Sequence, residues 1–298
     1  MNNGLLIRDN LSDTGTIPSP GAIYSSPDLI IHEQVENPLE FFTSNYDKDV
    51  NQAMDIHSRI NLIYVRVKNI SSTPKVAYIH LFAANASLFL NTSEWKGNRL
   101  KTSEGLDYVQ TDVIQPGEVG VGKVPFVFNA LAEHNYCHIG CVTDSPGPCD
   151  IPSDFHNYEE YSEWLHGNPN ICMRNFALID GPRCLLENSC EYSNPMPSPT
   201  TGVFEIQMGG KFPAGTRIHL YSKQIGVDKL VVSEAETSQY TDCVRATVPA
   251  LQRGIATLKV SLPEGHEGEI GAYASLSFYV SDGMLKAGQC TVAFAGKR

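Results

Sequence analysis

Short apolar runs separated by turn-forming residues dominate the hydrophobic pattern of this chain. In the clearest run, residues 61–69, Ile63, Val65 and Val67 alternate with the residues of the other face, which is typical of a strand with one buried side. Further strands are predicted at residues 76–82, 120–128, 136–142 and 172–179. Strands at this spacing, joined by polar turns, predict a β-sandwich.

One segment between two predicted strands follows a helical period instead. In the stretch 153–167, aromatic side chains recur at intervals of three residues, at Tyr158, Tyr161 and Trp164. We therefore predict a short helical insertion there. Its aromatic side chains are a candidate binding surface, and the alternative is an ordinary helix that covers an open sheet face.

The segment 190–201 contains three prolines and few apolar residues, which is typical of a linker. Seven further strand patterns follow it, at residues 203–208, 217–221, 229–233, 243–248, 255–262, 272–280 and 289–294. Together they have the size of one immunoglobulin-like module. The sequence therefore predicts an all-β chain with two immunoglobulin-like β-sandwich domains in series, one at 1–189 and one at 202–298.

Several motifs of the first domain resemble a known module. They are LIRDN at 6–10, DTG at 13–15, SPDLI at 26–30, the strand at 61–69, HNYCHI at 134–139 and NPNICMRN at 168–175. Together they resemble a β-sandwich module of bacterial secreted and surface proteins that is often appended to extracellular peptidases. The resemblance covers roughly residues 5–180, and it implies a sandwich fold and a bacterial, extracellular association. The helical insertion departs from the module, and no protease domain accompanies it.

A formal net charge of −11 argues against a nucleic-acid partner, because binding to phosphates needs a basic face. No apolar run reaches the roughly 20 residues that a membrane-spanning helix requires. The first residues lack the basic leader and apolar core of a secretory signal. We therefore expect no transmembrane segment, and a location outside the cell by a non-classical route, or in a particle, rather than in the cytoplasm.

The chain has eight cysteines, and an even count is compatible with disulfides. Cys243 and Cys290 lie in separate predicted strands. A bridge between them would close a loop of nearly fifty residues and stabilise the domain by about 4 kcal/mol. The alternative is two independent buried thiols. Cys184 and Cys190 are a second candidate pair, close to the predicted linker.

Three carboxylates, Asp9, Asp13 and Asp28, make the N-terminal region locally acidic. Oxygen-rich loops at the ends of sandwiches can hold calcium, so these residues are the calcium candidates and calcium is the one cofactor we consider. The alternative is that they cap local turns. Asp13 also begins an Asp-Thr-Gly tripeptide like that of aspartic proteases, but the sequence has no second copy to complete the carboxylate pair.

The segment 134–141 is dense in zinc-ligand residue types, with Cys137, His138 and Cys141 among them. On a strand, however, Cys137 and Cys141 would lie about 13 Å apart, which is too far for one tetrahedral ion. A turn in place of the strand would restore a zinc site. Buried thiols that pack in the core explain the two cysteines better.

The sequence contains no nucleophile elbow of the Gly-x-Ser-x-Gly type, and we assign no catalytic residue. We predict a non-enzymatic binding or assembly protein of bacterial or phage origin, whose sandwich loops or faces bind a protein or a glycan. A homo-oligomer is compatible with this role. Two alternatives belong to other classes: a secreted toxin or virulence factor that acts on host membranes, and a metal-dependent hydrolase.

Overall fold

The computed structural model describes residues 3–293 except 22, 53–59, 86–91, 130–135, 153–154, 156–157, 177–183, 195, 270–271 and 281–284. Its strands form four antiparallel sheets, which confirms the predicted all-β sandwich fold. The chain divides into two compact units. The first unit holds residues 1–84, 91–131 and 137–174, and the second consists mainly of residues 175–298. No helix in the described part of the chain is long and apolar enough to cross a membrane.

The elements of the first unit are, in chain order, β1 (Leu5–Leu6), β2 (Leu29–Ile31), α1 (Pro38–Ser44), β3 (Asn61–Asn69), β4 (Tyr78–Asn85), α2 (Thr92–Lys96), β5 (Lys101–Thr102), β6 (Val109–Gln110), β7 (Val119–Val121), β8 (Phe126–Phe128), β9 (Tyr136–Thr143), α3 (Tyr158–His166) and β10 (Ile171–Phe176). One sheet is built around β3, which pairs with β1, β2, β7 and β8, while β5 pairs with β8. The other sheet has the order β10-β9-β4-β6.

Strand β3 is buried on both faces, whereas its sequence pattern predicted one buried face. Residues 63–67 are all at most 2% exposed, including Tyr64 and Arg66, which the alternation assigned to the solvent side. Helix α1 covers this second face, where Phe42 packs against Tyr64 with ring centroids 4.8 Å apart. The central strand of the sheet therefore lies in the interior of the unit.

The predicted helical insertion is confirmed as α3, which lies between β9 and β10. Tyr161 and Leu165 are four residues apart and both are buried, so they form the inner side of the helix. The backbone N–H groups of Gly167 and Asn168 donate to the carbonyls of Glu163 and Leu165, which gives these two carbonyls of the last turn a partner.

The elements of the second unit are β11 (Leu185–Ser193), β12 (Thr200–Phe212), β13 (Arg217–Ser222), a 3-10 turn (Lys223–Ile225), β14 (Val227–Val232), β15 (Thr237–Val248), β16 (Arg253–Ser261), β17 (Tyr273–Val280) and β18 (Leu285–Ala293). They form two four-stranded sheets with the orders β11-β16-β13-β14 and β15-β12-β17-β18. Strands β13 and β14, like β17 and β18, follow one another in sequence and pair directly.

An aromatic core lies between the two sheets of the second unit. Tyr192 of β11 meets Phe204 of β12 and Phe278 of β17, with ring centroids 5.3 and 5.9 Å away, and the two phenylalanine rings are 4.8 Å apart. A Cβ on Gly254 would overlap Tyr192, and a Cβ on Gly202 would overlap Phe278. The rings therefore pack against bare backbone, which only glycine allows at this distance.

The predicted linker at 190–201 is wrong in its first part. Residues Leu185–Ser193 form β11, which pairs with β16 along its nine residues, and the main segment of the second unit begins at Asn175. Alternate side chains of β11, Cys190 and Tyr192 among them, are buried. The polar residues between them face outward, and for this reason the sequence has few apolar positions without being a linker.

Candidate functional site

A charged cluster lies buried in the first unit, where Asp28 binds two arginines. Asp28 precedes β2, Arg8 follows β1 and Arg66 lies on β3, so the pairing of β1 and β2 with β3 brings the three side chains together. Nε and Nη2 of Arg8 lie 3.0 and 2.7 Å from the carboxylate oxygens, and Nε of Arg66 lies 2.9 Å from Oδ1. All three side chains are at most 5% exposed.

The other donors of Arg66 hold the chain around it. Nη1 donates to the carbonyl of Asn45 over 2.7 Å, and Nη2 donates to the carbonyl of Pro27 over 2.6 Å. The ring of Tyr46 lies over the guanidinium of Arg8, 3.5 Å from the ring centroid, as in a cation–π interaction. The cluster is thus satisfied by groups of its own unit, and its role is to join strands and loop.

The calcium prediction for Asp9, Asp13 and Asp28 is wrong. Two guanidinium groups already bind the carboxylate of Asp28, and their positive charge would repel a cation. Asp13 accepts from the backbone N–H groups of Asp9 and Gly15 over 3.0 and 2.8 Å, so it caps a local turn, as the alternative interpretation has it. Among the described residues, no three potential metal ligands come together.

Asp9 belongs to a polar group that the sequence did not reveal. The hydroxyl of Ser19 donates to Oδ2 of Asp9 over 2.5 Å. Nδ1 of His166 lies 3.1 Å from that hydroxyl and 2.8 Å from the carbonyl of Ser19. Burial raises the pKa of Asp9 well above its usual range, an effect that the hydrogen bond from Ser19 opposes. These are the residue types of a hydrolytic triad, but the hydroxyl donates to the carboxylate and not to the imidazole, so no serine nucleophile is activated.

Of the three aromatic side chains of the predicted binding surface on α3, the structure places one in the interior. Tyr161 is fully buried, and its hydroxyl lies 3.6 Å from the sulfur of Met173. Trp164 is half-buried, with its ring centroid 6.1 Å from that of Trp95. The side chain of Tyr158 lies outside the described residues. The alternative, a helix packed on the body of the unit, describes Tyr161 and Trp164 correctly.

The structure contains two disulfides, Cys141–Cys149 and Cys190–Cys290. The candidate pairs Cys243–Cys290 and Cys184–Cys190 are therefore wrong, although two of their members do form a bridge. Cys243 is exposed on β15, where its side chain points away from the core. In the sequence, Cys190 lies at the start of the predicted linker. Its disulfide partner, Cys290 on β18, could not be inferred from the spacing of the cysteines.

Residues 136–141 of the zinc-like segment lie on β9, as the preferred interpretation assumed, and residues 134–135 lie outside the described residues. Cys137 is a buried free thiol, as predicted, and burial raises its pKa. Cys141 is not a thiol, because it is bonded to Cys149. His138 is buried and its ring meets Phe128 edge-on, with centroids 4.6 Å apart. Burial lowers the pKa of His138 to about 3, so the imidazole is neutral at physiological pH.

In the second unit, the outer face of the sheet β11-β16-β13-β14 carries exposed aliphatic side chains. Leu230 and Val232 on β14 are 49% and 50% exposed, and Ile255 on β16 is 46% exposed. Since Val227 and Val231 of β14 occupy the opposite side, this strand has apolar residues on both faces. The sequence of the strand, VDKLVV, already shows apolar residues at consecutive positions. A strand with one apolar and one polar face would not show this pattern.

Polar and aromatic side chains surround the aliphatic ones on this outer face. Leu230 lies beside His219 in the register of β13 and β14. Nε2 of His219 is 2.6 Å from Oδ1 of Asp228, and its ring centroid is 4.9 Å from that of Tyr221. Toward the other edge of the sheet, Nζ of Lys259 pairs with a carboxylate on β11 at 3.2 Å. The face therefore combines apolar, aromatic and charged groups.

A shallow groove of about 260 Å³ lies beside the start of α1 in the first unit, with Leu39, Val113, Asp112 and Lys123 among its lining residues. Asp112 and Lys123 pair with each other at 2.7 Å. The volume is below the several hundred Å³ of typical small-molecule sites. We therefore place the candidate functional site on the outer sheet face of the second unit.

No protein-family model matches the sequence, and no curated protein matches it. Solved structures to which it is similar include red sea bream transglutaminase, with 12% identity, a TM-score of 0.22 and coverage of 87% of this chain and 33% of that one. The CupB6 tip adhesin from Pseudomonas aeruginosa has 8% identity, a TM-score of 0.22 and coverage of 79% and 88%. The C-terminal domain of the Streptococcus agalactiae AgI/II polypeptide BspA has 8% identity, a TM-score of 0.19 and coverage of 90% and 99%.

The chain thus spans about a third of the transglutaminase chain, and bacterial adhesin structures are among those it is similar to. At these identities and TM-scores the similarities carry no conclusion about activity. The function has to be inferred from the geometry of the chain itself.

Proposed function

We propose that this chain is a non-enzymatic binding or assembly protein that engages a protein partner through the outer sheet face of its second unit. One observation carries the proposal. Leu230, Val232 and Ile255 are about half exposed on a face that also carries Tyr221 and His219. Exposed apolar groups beside aromatic side chains, with charges at the rim, are typical of protein interfaces.

This outer face suits a protein better than other ligands. It is a sheet four strands wide, whereas small molecules bind in concave pockets. The net charge of −11 disfavours nucleic acid. A protein partner can cover three aliphatic side chains with apolar groups of its own, and removal of that apolar surface from water drives association.

An extracellular or particle-borne setting is supported by the two disulfides, Cys141–Cys149 and Cys190–Cys290. Disulfides persist in oxidising surroundings and are rare in a reducing cytosol. The resemblance of the first domain to a module of bacterial surface proteins supports a bacterial or phage origin. Both points concern the location and origin of the protein, whereas the outer face is the proposed binding surface.

Site-specific photo-crosslinking in the source cells or particles tests the proposed face. A photo-reactive residue replaces Val232, and in a control protein it replaces Thr241, which is exposed on β15 of the other sheet. We expect a discrete crosslinked product with another protein from position 232 only. Ile255→Lys, on the same face, is expected to reduce the yield of that product, because it places a charge within the apolar contact.

Equal products from positions 232 and 241, or no product from either, would contradict the proposal. Binding of the pure protein to a glycan array that Ile255→Lys abolishes would assign the face to a glycan and remove the protein partner. Products that contain two copies of this chain are recognised by mass spectrometry and do not count as a partner.

A further inference from the structure

Strand β14 forms one edge of its sheet, and within the described residues it pairs with β13 alone. Ser233, directly after the strand, turns its backbone toward β13, since its N–H donates to the carbonyl of Thr216. Backbone groups along an antiparallel strand alternate in direction, so those of Asp228, Leu230 and Val232 face the open side. The edge therefore combines available backbone groups with exposed aliphatic side chains, the combination that favours pairing with another strand.

The neighbouring edge strand, β15 of the opposite sheet, is closed by side chains. The N–H of Cys243 donates to Oδ1 of Asp242 over 2.8 Å, and its carbonyl accepts from Nζ of Lys229 over 3.4 Å. Lys229 and Asp242 also pair with each other at 2.6 Å. Asp242, an inward-pointing charge of β15, protects that edge from pairing, whereas the inward-pointing Lys229 of β14 is bound to Asp242 and to the carbonyl of Cys243. Of these two adjacent edges, β15 is blocked near its middle, and β14 presents its aliphatic side chains instead.

The sequence of β14 is complementary to itself in one antiparallel register. When two copies pair about Leu230, each leucine lies opposite its counterpart and Asp228 lies opposite the partner's Val232. Lys229 then lies opposite the partner's Val231. Residues 228–232 of the six-residue strand then pair with one another, and no like charges meet.

Other two-fold registers are less favourable. Pairing about Asp228 or Lys229 places that residue opposite its own copy, and like charges directly opposite destabilise a strand pair. Pairing about Val231 brings Asp228 opposite the partner's Glu234, again two negative charges. Charge thus selects the register about Leu230.

We infer that two copies of this chain associate edge to edge through β14 and form a continuous eight-stranded sheet across a two-fold axis. Edge pairing leaves the side chains of the outer face exposed. Leu230 and Val232 of both copies then form one apolar stripe at the centre of a doubled face. The partner's Asp228 comes within about 10 Å of Arg217, which is two strands away in the same row, and the opposite charges attract. The inference rests on the edge geometry of β14 and does not require the proposed protein partner.

Sedimentation velocity over roughly 1 µM to 1 mM protein tests this inference with the full chain. The Cys243→Ser background removes the exposed thiol as a source of dimers. We expect a reversible dimer of twice 32.7 kDa, in equilibrium with monomer because a six-residue edge buries less area than a standard interface. Leu230→Lys places two ammonium groups opposite each other and should raise the dimer Kd by at least about tenfold. Ile255→Lys, on the same face but away from the edge, should leave the Kd unchanged.

A second variant reports the register directly. In the pairing about Leu230, the two Cα atoms at position 230 lie about 5.5 Å apart, which is within the range of a disulfide. Leu230→Cys, in the Cys243→Ser background, should therefore give a crosslinked dimer on mild oxidation, and Ile255→Cys should not.

A chain that stays monomeric over the whole concentration range overturns the inference. A dimer with the same Kd in Leu230→Lys, or equal crosslinking from positions 230 and 255, does so as well. If circular dichroism shows that Leu230→Lys fails to fold, the cysteine variants decide. Loss of the dimer with intact partner crosslinking from position 232 would leave the proposed function standing.

Discussion

The first unit buries charges in its core, whereas the described core of the second unit contains none. Arg8, Asp28 and Arg66 join three strands of the first unit through hydrogen bonds between charged groups. The second unit relies on three packed aromatic rings and on the disulfide Cys190–Cys290 between its two sheets. The interiors of the two sandwiches are thus held together by different interactions.

The difference has consequences for how each unit tolerates change. A buried ion network adds little net stability compared with apolar packing, but it becomes costly when one member is lost. A disulfide acts mainly by restricting the unfolded chain. The first unit, whose own disulfide Cys141–Cys149 spans a sequence separation of only 8 residues, therefore depends on every member of its cluster. The second unit depends on the covalent bond that joins its two sheets.

Loss of the disulfide is expected to have the largest effect. The double variant Cys190→Ala, Cys290→Ala opens a loop with a sequence separation of 100 residues, and chain entropy then predicts a loss of about 4 to 5 kcal/mol from the second unit. Hydrogen exchange of peptides from β12 and β17 measures it. Cys243→Ser, which alters an exposed free thiol, is the matched control, and equal protection in the two proteins would refute the expectation.

Asp28→Asn should destabilise the first unit by about 3 to 5 kcal/mol, because it leaves two buried guanidinium groups without their counter-charge. Both tryptophans of the chain, Trp95 and Trp164, lie in this unit, so their fluorescence during urea denaturation reports on it alone. Asp112→Asn, which removes the exposed partner of Lys123, is the control and should change little. A similar urea midpoint for both variants would show that the buried cluster is dispensable.

The pH dependence of the free energy of unfolding should also differ between the two units. Burial lowers the pKa of His138 to about 3, below that of the unfolded chain, so the unfolded state takes up a proton first as the pH falls. Stability that is full above pH 6.5 is then lost on acidification, by about 2 to 3 kcal/mol between pH 6.5 and 4.5. His80, whose pKa burial lowers to about 4, adds to this loss. The described histidines of the second unit, His219 and His266, are not buried.

His138→Gln isolates the contribution of one histidine. Asp9 acts in the opposite sense, because its raised pKa makes its contribution greatest at low pH and lost as the pH rises. The measured quantity is therefore the change of the urea midpoint with pH, followed by tryptophan fluorescence. This dependence is compared between the wild type and His138→Gln. Parallel slopes would mean that His138 titrates normally in the folded unit.

The sequence was sufficient for the fold class, since short apolar runs separated by turn-forming residues marked β3, β9 and most strands after residue 200. It failed at β11 because a buried polar residue, Asn188, interrupts the apolar alternation of Leu186, Cys190 and Tyr192. A run of prolines close behind the strand then gave the whole segment the composition of a linker. The prediction therefore followed the local composition of the segment. The partner strand of β11, β16, lies about seventy residues further along the chain, and local composition gives no sign of that pairing.

The candidate sites were harder to predict, because their members meet over long sequence distances. Arg8 and Arg66 lie 20 and 38 residues from Asp28, and nothing local distinguishes this carboxylate from one that holds a cation. The aromatic spacing of α3 was read correctly as a helix, but spacing does not tell which side of a helix is buried. The exposed Leu230 and Val232 were visible as an excess of apolar residues in one strand, and this was the signal for the outer face.

The bridge Cys190–Cys290 also fixes how the second unit responds to mechanical force. It ties β11, the first strand of this sandwich, to β18, the last. Tension that enters through the chain before β11 and leaves after β18 passes through the covalent bond and bypasses the strands between. About 350 Å of polypeptide is thereby shielded from extension. The loop between Cys190 and Cys290 is therefore inextensible under load for as long as the bond stays oxidised.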